Sequence, residues 1–366
     1  MIFAGLPGLR IGLIGPLPPP SGGMANQTRQ LAELLAGAGA IVTTVQVNAA
    51  YKPRWIGHVP VLRSLFRLAP YLMSLWHAAG TADIFHVMAN SGWSWHLFAA
   101  PAIWIGHLRG VAVVVNYRGG EAGEFLARSH RLVHFTVRRA RALVVPSGFL
   151  QNVFFRFGME SQIVPNIIDL DRFHPREPGC SASPHLLVAR NLELLYDNET
   201  AIRAFEIVRT RFSQARLTIA GSGPDEQRLQ LLVGQRGLSE SVHFVGRQER
   251  EAMASLYRSA DLMLNPSLAD NMPNSVLESW ASGVPVVTTN VGGIPYLAQH
   301  GINAALVPPG DPSAMAGACV QLLSDHVAWQ RLARAGLQEA RRYTWTCVQP
   351  ILTNVYCHAI EVTKQI

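Results

Sequence analysis

Hydrophobic positions in the first 150 residues fall into short unbroken runs: "LRIGLIG" (9–15), "AIVTTVQV" (40–47), "ADIFHVM" (82–88), "VAVVVNY" (111–117) and "ALVVPS" (142–147). Helical patterns separate them, among them 22–39, which ends in glycine, and 120–139. Strands apolar on both faces, alternating with helices, predict a parallel sheet covered on both sides. The pattern breaks near 172–190, where Pro175, Pro178, Gly179 and Pro184 predict a linker. It then restarts with "HLLVAR" (185–190), "RLTIAGSG" (216–223), "VHFVG" (242–246), "DLMLNPS" (261–267), "VPVVTT" (284–289) and "AALVPP" (304–309). Between them, 198–212 carries Ile202, Phe205, Val208 and Phe212 on one helical face. The expected fold is α/β: two Rossmann-like doubly wound domains facing across a cleft, the first over 1–178 and the second over 179–342. A chain of 366 residues suits two domains.

Composition narrows the class. Residues are 49% hydrophobic and only 15% charged, which excludes a disordered chain. The net charge of +7 and a pI near 9.6 suit an anionic partner or simply a basic surface. Cys180, Cys319, Cys347 and Cys357 are far apart and form no C-x-x-C pair, so neither a disulfide framework nor a zinc site is expected. Reduced thiols suit a cytoplasmic protein. The N-terminal stretch lacks a basic region and a cleavage site, so a signal peptide is not expected. No apolar run reaches 18 uninterrupted residues, so no membrane-spanning helix is expected.

Ligands of open parallel sheets bind beyond the carboxyl ends of the strands. After the first strand, Gly22 and Gly23 open a helix, where free N–H groups favour a phosphate; a plain strand–helix turn explains them equally well. Arg190 ends the strand at 185–189 and suits bidentate pyrophosphate binding. Gly221 and Gly223 form another glycine turn before a helix. The stretch "SLADNMPNSVLESWASGVPVVTTN" (267–290) places Asp270 in a loop and Glu278 about a turn into the next helix. A carboxylate there satisfies the helix dipole or accepts two ribose hydroxyls.

These blocks resemble the retaining family 4 glycosyltransferases of GT-B fold, over nearly the whole chain and most strongly from about 160 to 310. "DNMPNSVLESWASGVPVV" fits the family's Glu, seven residues, Glu frame, with Asp270 in the first place. "IVPNIIDLDRF" (163–173), "AGSGPDEQRL", "VHFVGR", "LYRSADLMLNPS" and "TTNVGGIPYL" are similar to other family blocks in the same order. The resemblance implies a hexosyltransferase-type enzyme using a nucleotide-sugar co-substrate, with no cofactor and no metal. Its acceptor would be a glycan or lipid-linked molecule in surface-polysaccharide or glycolipid synthesis. Glu278 would hold the ribose and Arg190 the diphosphate. Asp270 and the N–H groups after it would meet the transferred sugar, with Asn271, Met272, Pro273 and Asn274 all on the donor side. Gly22 and Gly23 would approach the phosphates, with Gly221 and Gly223 also on the donor side. The backbone of Val245 would lie near the base. His86 and Arg118 are further candidate catalytic groups, each with a structural alternative. The last segment, 343–366, resembles the helix that crosses back onto the first domain.

The chain departs from the family at three places. The lysine expected about five residues after Arg190 is absent; position 195 is Leu and position 196 is Tyr. Arg247 or Arg118 could replace it, or activity is altered. Arg118 stands where many relatives have histidine. Asp270 is one carbon shorter than glutamate. Residues 54–80 mix Trp55, Phe66, Tyr71 and Trp76 with Arg54, Arg63 and Arg67, which suits peripheral contact with an anionic membrane. Residues 91–110 read better as a helix covering the first sheet. Two other readings stay open: a nucleotide-sugar epimerase, and a sugar-nucleotide-binding homologue without turnover. A dehydrogenase is disfavoured because the Gly22–Gly23 turn lacks the third glycine, and nucleic-acid binding because the basic residues are dispersed.

Overall fold

In a computed structural model of the protein, residues 5–19, 22–49, 60–175 and 183–365 are described here, with side chains in the helix that begins at Pro60 taken from 67 onward. The chain divides into two compact units. Unit 1 is Met1–Pro165 with Val348–Ile366, and unit 2 is Asn166–Cys347.

Unit 1 holds a parallel sheet of β1 (Arg10–Gly15), β2 (Ile41–Gln46), β3 (Ile84–Ala89), β4 (Ala112–Tyr117), β5 (Ala142–Val145) and β6 (Gln162–Ile163), in the order β2-β1-β3-β4-β5-β6. The helices are α1 (Gly23–Gly37), α2 (Pro60–Ala79), α3 (Ala100–Leu108), α4 (Ala122–Val137) and α5 (Gly148–Arg156). Strands β3 and β4 are buried at every position, as unbroken apolar runs in a sheet covered on both faces must be. Phe85, Val87, Val113 and Val115 pack against Tyr71 and Leu75 of α2, Ile103 of α3 and Leu126 and Val133 of α4.

Unit 2 holds β7 (His185–Ala189), β8 (Arg216–Ala220), β9 (Val242–Gly246), β10 (Leu262–Asn265), β11 (Val286–Thr289) and β12 (Ala305–Val307), in the order β12-β11-β10-β7-β8-β9. Its helices are α6 (Asn198–Arg211), α7 (Glu226–Gln235), α8 (Arg250–Ser259), α9 (Asn274–Ala281), α10 (Ile294–Leu297), α11 (Pro312–Ser324) and α12 (His326–Ala340). Successive strand residues point to opposite faces. Leu186 and Val188 therefore meet Ile202, Phe205 and Val208 of α6, whereas Leu187 joins Tyr257 of α8 and Trp280 of α9. The final helix α13 (Trp345–Lys364) buries Val348, Leu352, Val355, Tyr356 and Ala359, a helical stripe that belongs to unit 1.

The unit boundary corrects the sequence reading. It falls between Pro165 and Asn166, so residues 166–178, expected in the first domain, begin in the second. The return to unit 1 comes at Val348 rather than 343. Phe173 and Ile168 are buried in the unit 2 core, and Ile168 donates its N–H to the Tyr343 carbonyl.

Candidate active site

In a parallel sheet the strand order reverses at a switch point, and the loops there diverge to opposite faces and leave a crevice. In unit 2 this point lies between β7 and β10. Arg190 follows β7 and the 266–273 loop follows β10, so sheet topology alone brings them together. The Arg190 guanidinium donates to Asp270 Oδ2 at 2.7 Å and to Ser275 Oγ at 3.5 Å. Its plane lies over the Tyr196 ring, 4.1 Å from the centroid. Both charged side chains are only 10% exposed. The Nε of Arg190 is buried and has no hydrogen-bond partner in the protein. One edge of a buried cation is thus left for a ligand acceptor, since an unpaired buried donor is costly.

Glycines let the site loops close. A Cβ at Gly221 would lie 1.9 Å from the Arg190 carbonyl oxygen, and one at Gly223 would lie 2.2 Å from that of Leu192. Gly293 faces the Asn271 carbonyl in the same way at 1.9 Å and donates its N–H to the Asp270 carbonyl. The glycine turn after β8, expected on the donor side, is therefore required first by its packing against the 190–192 segment.

The two carboxylates have different partners. Asp270 faces the Arg190 cation, and its Oδ1 accepts the N–H of Asn271 at 3.0 Å. Glu278 accepts the Tyr257 hydroxyl at 3.0 Å. Burial pushes Glu278 upward from the ordinary carboxylate range, against the Tyr257 hydrogen bond and the charges of Arg250 and Arg190. The same burial raises Tyr257, so this phenol stays a proton donor. Asn166 donates to the Met272 carbonyl at 2.8 Å and to Asn274 Oδ1 at 2.7 Å, pinning the loop from the segment just after the unit boundary.

The row of backbone donors expected from Asn271 to Ser275 is shorter than predicted. The Asn271 N–H is taken by Asp270, and Pro273, at the N-cap of α9, has none. The Asn271 and Met272 side chains are buried. Val245 is the extra residue where the β8–β9 register shifts, and its carbonyl accepts the Gln248 amide. Arg247 is exposed just beyond β9, and Arg118 lies in unit 1. The ring of Tyr196, not a second cation, covers the face of Arg190.

Unit 1 has its own switch point, between β1 and β3. Gly22 caps α1 there, and a Cβ at Gly22 or Gly23 would meet nothing within 4 Å. Arg118 Nε donates to Asn116 Oδ1 at 2.9 Å and its NH1 to Gln27 Oε1 of α1 at 3.1 Å. Arginine only donates, so Asn116 must turn its amide nitrogen toward His86 Nε2, 3.0 Å away. His86 is then neutral, with its proton on Nδ1, 2.7 Å from the Tyr356 oxygen of α13. Burial, with the Arg118 charge, depresses His86 from 6.5 to about 3. Burial also lowers Arg118 to about 10, which leaves it charged at neutral pH. His86 is fully buried with both ring nitrogens engaged, so the expectation that it acts on substrate gives way to a role in orienting Asn116 and Arg118.

Several residues were missed by sequence reasoning: Tyr196, Tyr257 and Asn166 in unit 2, and Gln27, Asn116 and Tyr356 in unit 1. Asn116, next to Tyr117 in an otherwise apolar strand, was the one signal available. Asp169, in the only Asp-x-Asp, accepts backbone N–H groups of Asp171 and Arg172 and pairs with the Arg172 side chain.

Two doubly wound α/β units give the chain a two-domain fold of GT-B type. Residues 185–325 match the family described as glycosyl transferases group 1, and the second unit of this chain carries a domain of that family. An uncharacterized glycosyltransferase of Methanocaldococcus jannaschii is 32% identical over 165 residues, 45% of this chain and 42% of that protein. The phosphatidyl-myo-inositol mannosyltransferase of Mycobacterium leprae is 35% identical over 205 residues, 54% of each chain. The chain spans about half the length of these curated relatives. Among solved structures, sucrose-phosphate synthase from Thermosynechococcus elongatus superposes with a TM-score of 0.79 at 20% identity, over 97% of this chain and all of that one. Anabaena HepE in complex with UDP and glucose gives 0.74 at 16%, over 94% of this chain and 98% of that one. At these identities the superpositions establish the fold alone. Among the described residues, no helix is long and apolar enough to cross a membrane.

Proposed function

We propose that the protein is a retaining family 4 glycosyltransferase that moves a hexose from a nucleoside-diphosphate sugar to a glycan or lipid-linked acceptor, in surface-polysaccharide or glycolipid synthesis. The observation that carries the reading is the buried Arg190 with an unpartnered Nε, set between Asp270 and the helix bearing Glu278. This arrangement lies inside the segment that matches the glycosyltransferase family. In this reading, Arg190 meets the charge that develops on the departing diphosphate, a preorganised electrostatic role. Glu278, held by Tyr257, accepts the ribose hydroxyls. Asp270 orients Arg190 and meets the transferred sugar. Gly22 and Gly23 keep the first strand–helix turn open. The proposal needs no metal ion, and it includes peripheral contact with an anionic membrane where the acceptor is lipid-linked.

A thermal-shift screen against UDP, GDP, ADP and their sugar conjugates tests it, because a ligand that binds only the folded state raises the melting temperature. A shift with one nucleotide that is lost in Glu278→Ala supports the reading. No shift with any of them refutes the donor site. One observation favours a second reading, nucleotide-sugar binding without turnover: the Arg190 cation is already neutralised by Asp270. A nucleotide shift without sugar release or transfer would establish it, and release of a C2-epimer without acceptor would point to an epimerase.

A further inference from the structure

The positive charge of this chain is not shared between its units. Unit 1 contains fifteen Lys/Arg and six Asp/Glu, whereas unit 2 contains sixteen and eighteen, so the whole excess lies in unit 1. Much of it sits on one helix and its C-terminal turn. Between 122 and 141 there are five arginines and one glutamate. The buried face of α4 is Phe125, Leu126, Val133 and Thr136. The opposite face should be polar throughout in a helix that merely covers a sheet. Instead it carries Arg128, Arg131, Leu132, Phe135 and Arg138 at three- and four-residue spacing, so they form one outward stripe.

Leu132 is 63% exposed and Phe135 52%. Isolated exposed apolar residues are ordinary, but contiguous ones beside cations mark an interaction surface. Contiguity is visible here. The Phe135 ring lies 5.5 Å from that of Trp104 on α3. The Arg139 guanidinium covers both rings, at 3.9 Å and 4.6 Å. One helical turn beyond Trp104, Leu108 is 70% exposed. The sole acid of the stripe, Glu124, reaches Arg128 at 3.8 Å with both side chains largely in solvent, a pair too weak to neutralise it.

We infer that the outer face of α4, with the end of α3, is the surface by which this protein lies on an anionic lipid bilayer. The inference rests on the proposed membrane contact and gives it a location other than the 54–80 stretch. Only residues 67–80 of that stretch have described side chains, and there Tyr71, Leu75, Ala78 and Ala79 are buried in the unit 1 core, while Met73 and Trp76 are exposed, Trp76 beneath the Arg109 guanidinium that follows Leu108. Leucine and phenylalanine enter the boundary between headgroups and acyl chains, while arginines on the same stripe stay at headgroup level. A polyanion such as nucleic acid would use the arginines and gain little from Leu132.

Cosedimentation of the full chain with vesicles tests this without requiring turnover. The vesicles are phosphatidylcholine alone and phosphatidylcholine mixed with phosphatidylglycerol. Binding only to the mixed vesicles, weakening with salt, is expected. Each basic residue near such a surface contributes about fivefold to partitioning. Arg131→Glu with Arg138→Glu should therefore reduce binding by more than about tenfold. Arg211→Glu with Arg216→Glu, the same change of net charge on exposed positions of unit 2, should leave it within about twofold. Leu132→Ser with Phe135→Ser should retain low-salt binding and lose the salt-resistant fraction. All six positions are exposed, so the variants should melt with the parent protein. The inference fails if mixed vesicles do not bind, if both charge reversals weaken binding equally, or if the Leu132/Phe135 variant is unchanged. It also fails if an oligonucleotide binds through the same arginines and displaces the vesicles. Vesicle binding without any nucleotide shift would leave the surface standing and remove the donor site; the reverse result would do the opposite.

Discussion

Replacing Asp270 by asparagine removes one negative charge from the Arg190 site and almost no volume. The asparagine oxygen can still accept from the guanidinium, so the variant isolates charge. Breaking a buried pair by removing one partner's charge costs about 3–5 kcal/mol, because the other charge stays buried. Both side chains here are 10% exposed, so that range applies. The Tyr196 face continues to stabilise the cation by about 0.5–2 kcal/mol, which favours the low end, about 3 kcal/mol. For a unit of this size that is a fall of about 6–12 °C in its melting transition. The free arginine should then seek another anion. Pyrophosphate or the matching nucleoside diphosphate at 100 times its Kd returns about 2.7 kcal/mol, so most of the loss should be recovered on titration. Calorimetry with and without pyrophosphate gives both numbers. Turnover should fall even as anion affinity rises, because the group proposed to meet the sugar has lost its charge. If Asp270→Asn melts like the parent, or if pyrophosphate raises the parent's transition as much as the variant's, the carboxylate is not the internal counter-ion of Arg190.

Two further outcomes follow from the same geometry. Tyr196→Phe keeps a ring under Arg190 and should hold the donor KM within about twofold, whereas Tyr196→Ala should raise it about five- to thirtyfold, as loss of 1–2 kcal/mol of cation–π contact implies; steady-state kinetics with varied donor decides. Below about pH 6.5 the unfolded chain binds a proton that buried His86 refuses until about 3. Stability should therefore be full above that window and fall by about 1.4 kcal/mol per pH unit as pH drops through it. His86→Gln should flatten this slope in urea melts between pH 4 and 7, and an unchanged slope would assign the acid sensitivity to other groups.

Much of the fold was legible because strand burial depends on local composition. Every strand run named from its apolar pattern appears in a sheet, and Ile202, Phe205 and Val208 face the core as their spacing predicts. The site was legible only where chemistry is carried by one residue type in a recognisable frame. Arg190, Asp270 and Glu278 stood out, but their partners did not. Arg190 and Asp270 lie 80 positions apart, Asn166 and Asn274 lie 108 apart, and His86 and Tyr356 lie 270 apart. Nothing local to a tyrosine says that its ring will lie under an arginine. The boundary near 178 was misplaced for a related reason. Prolines advertise a break in regular structure, whereas the docking of Ile168 and Phe173 is tertiary. His86 was misread because a strand-end histidine looks the same in sequence whether its ring meets solvent or a tyrosine from the far end of the chain.

That last contact has a temporal side. The proton on His86 Nδ1 finds its acceptor on Tyr356, and the intervening chain includes the whole of unit 2. A growing polypeptide emerges from the ribosome N-terminus first, so unit 1 is synthesised early yet stays open until the last helix is released. During that interval its β3 histidine lacks its partner, and the apolar stripe of α13 that will be buried has not yet been made. Unit 2, a single continuous segment, can fold in the meantime. The half whose synthesis begins first therefore closes only after the other half has been made.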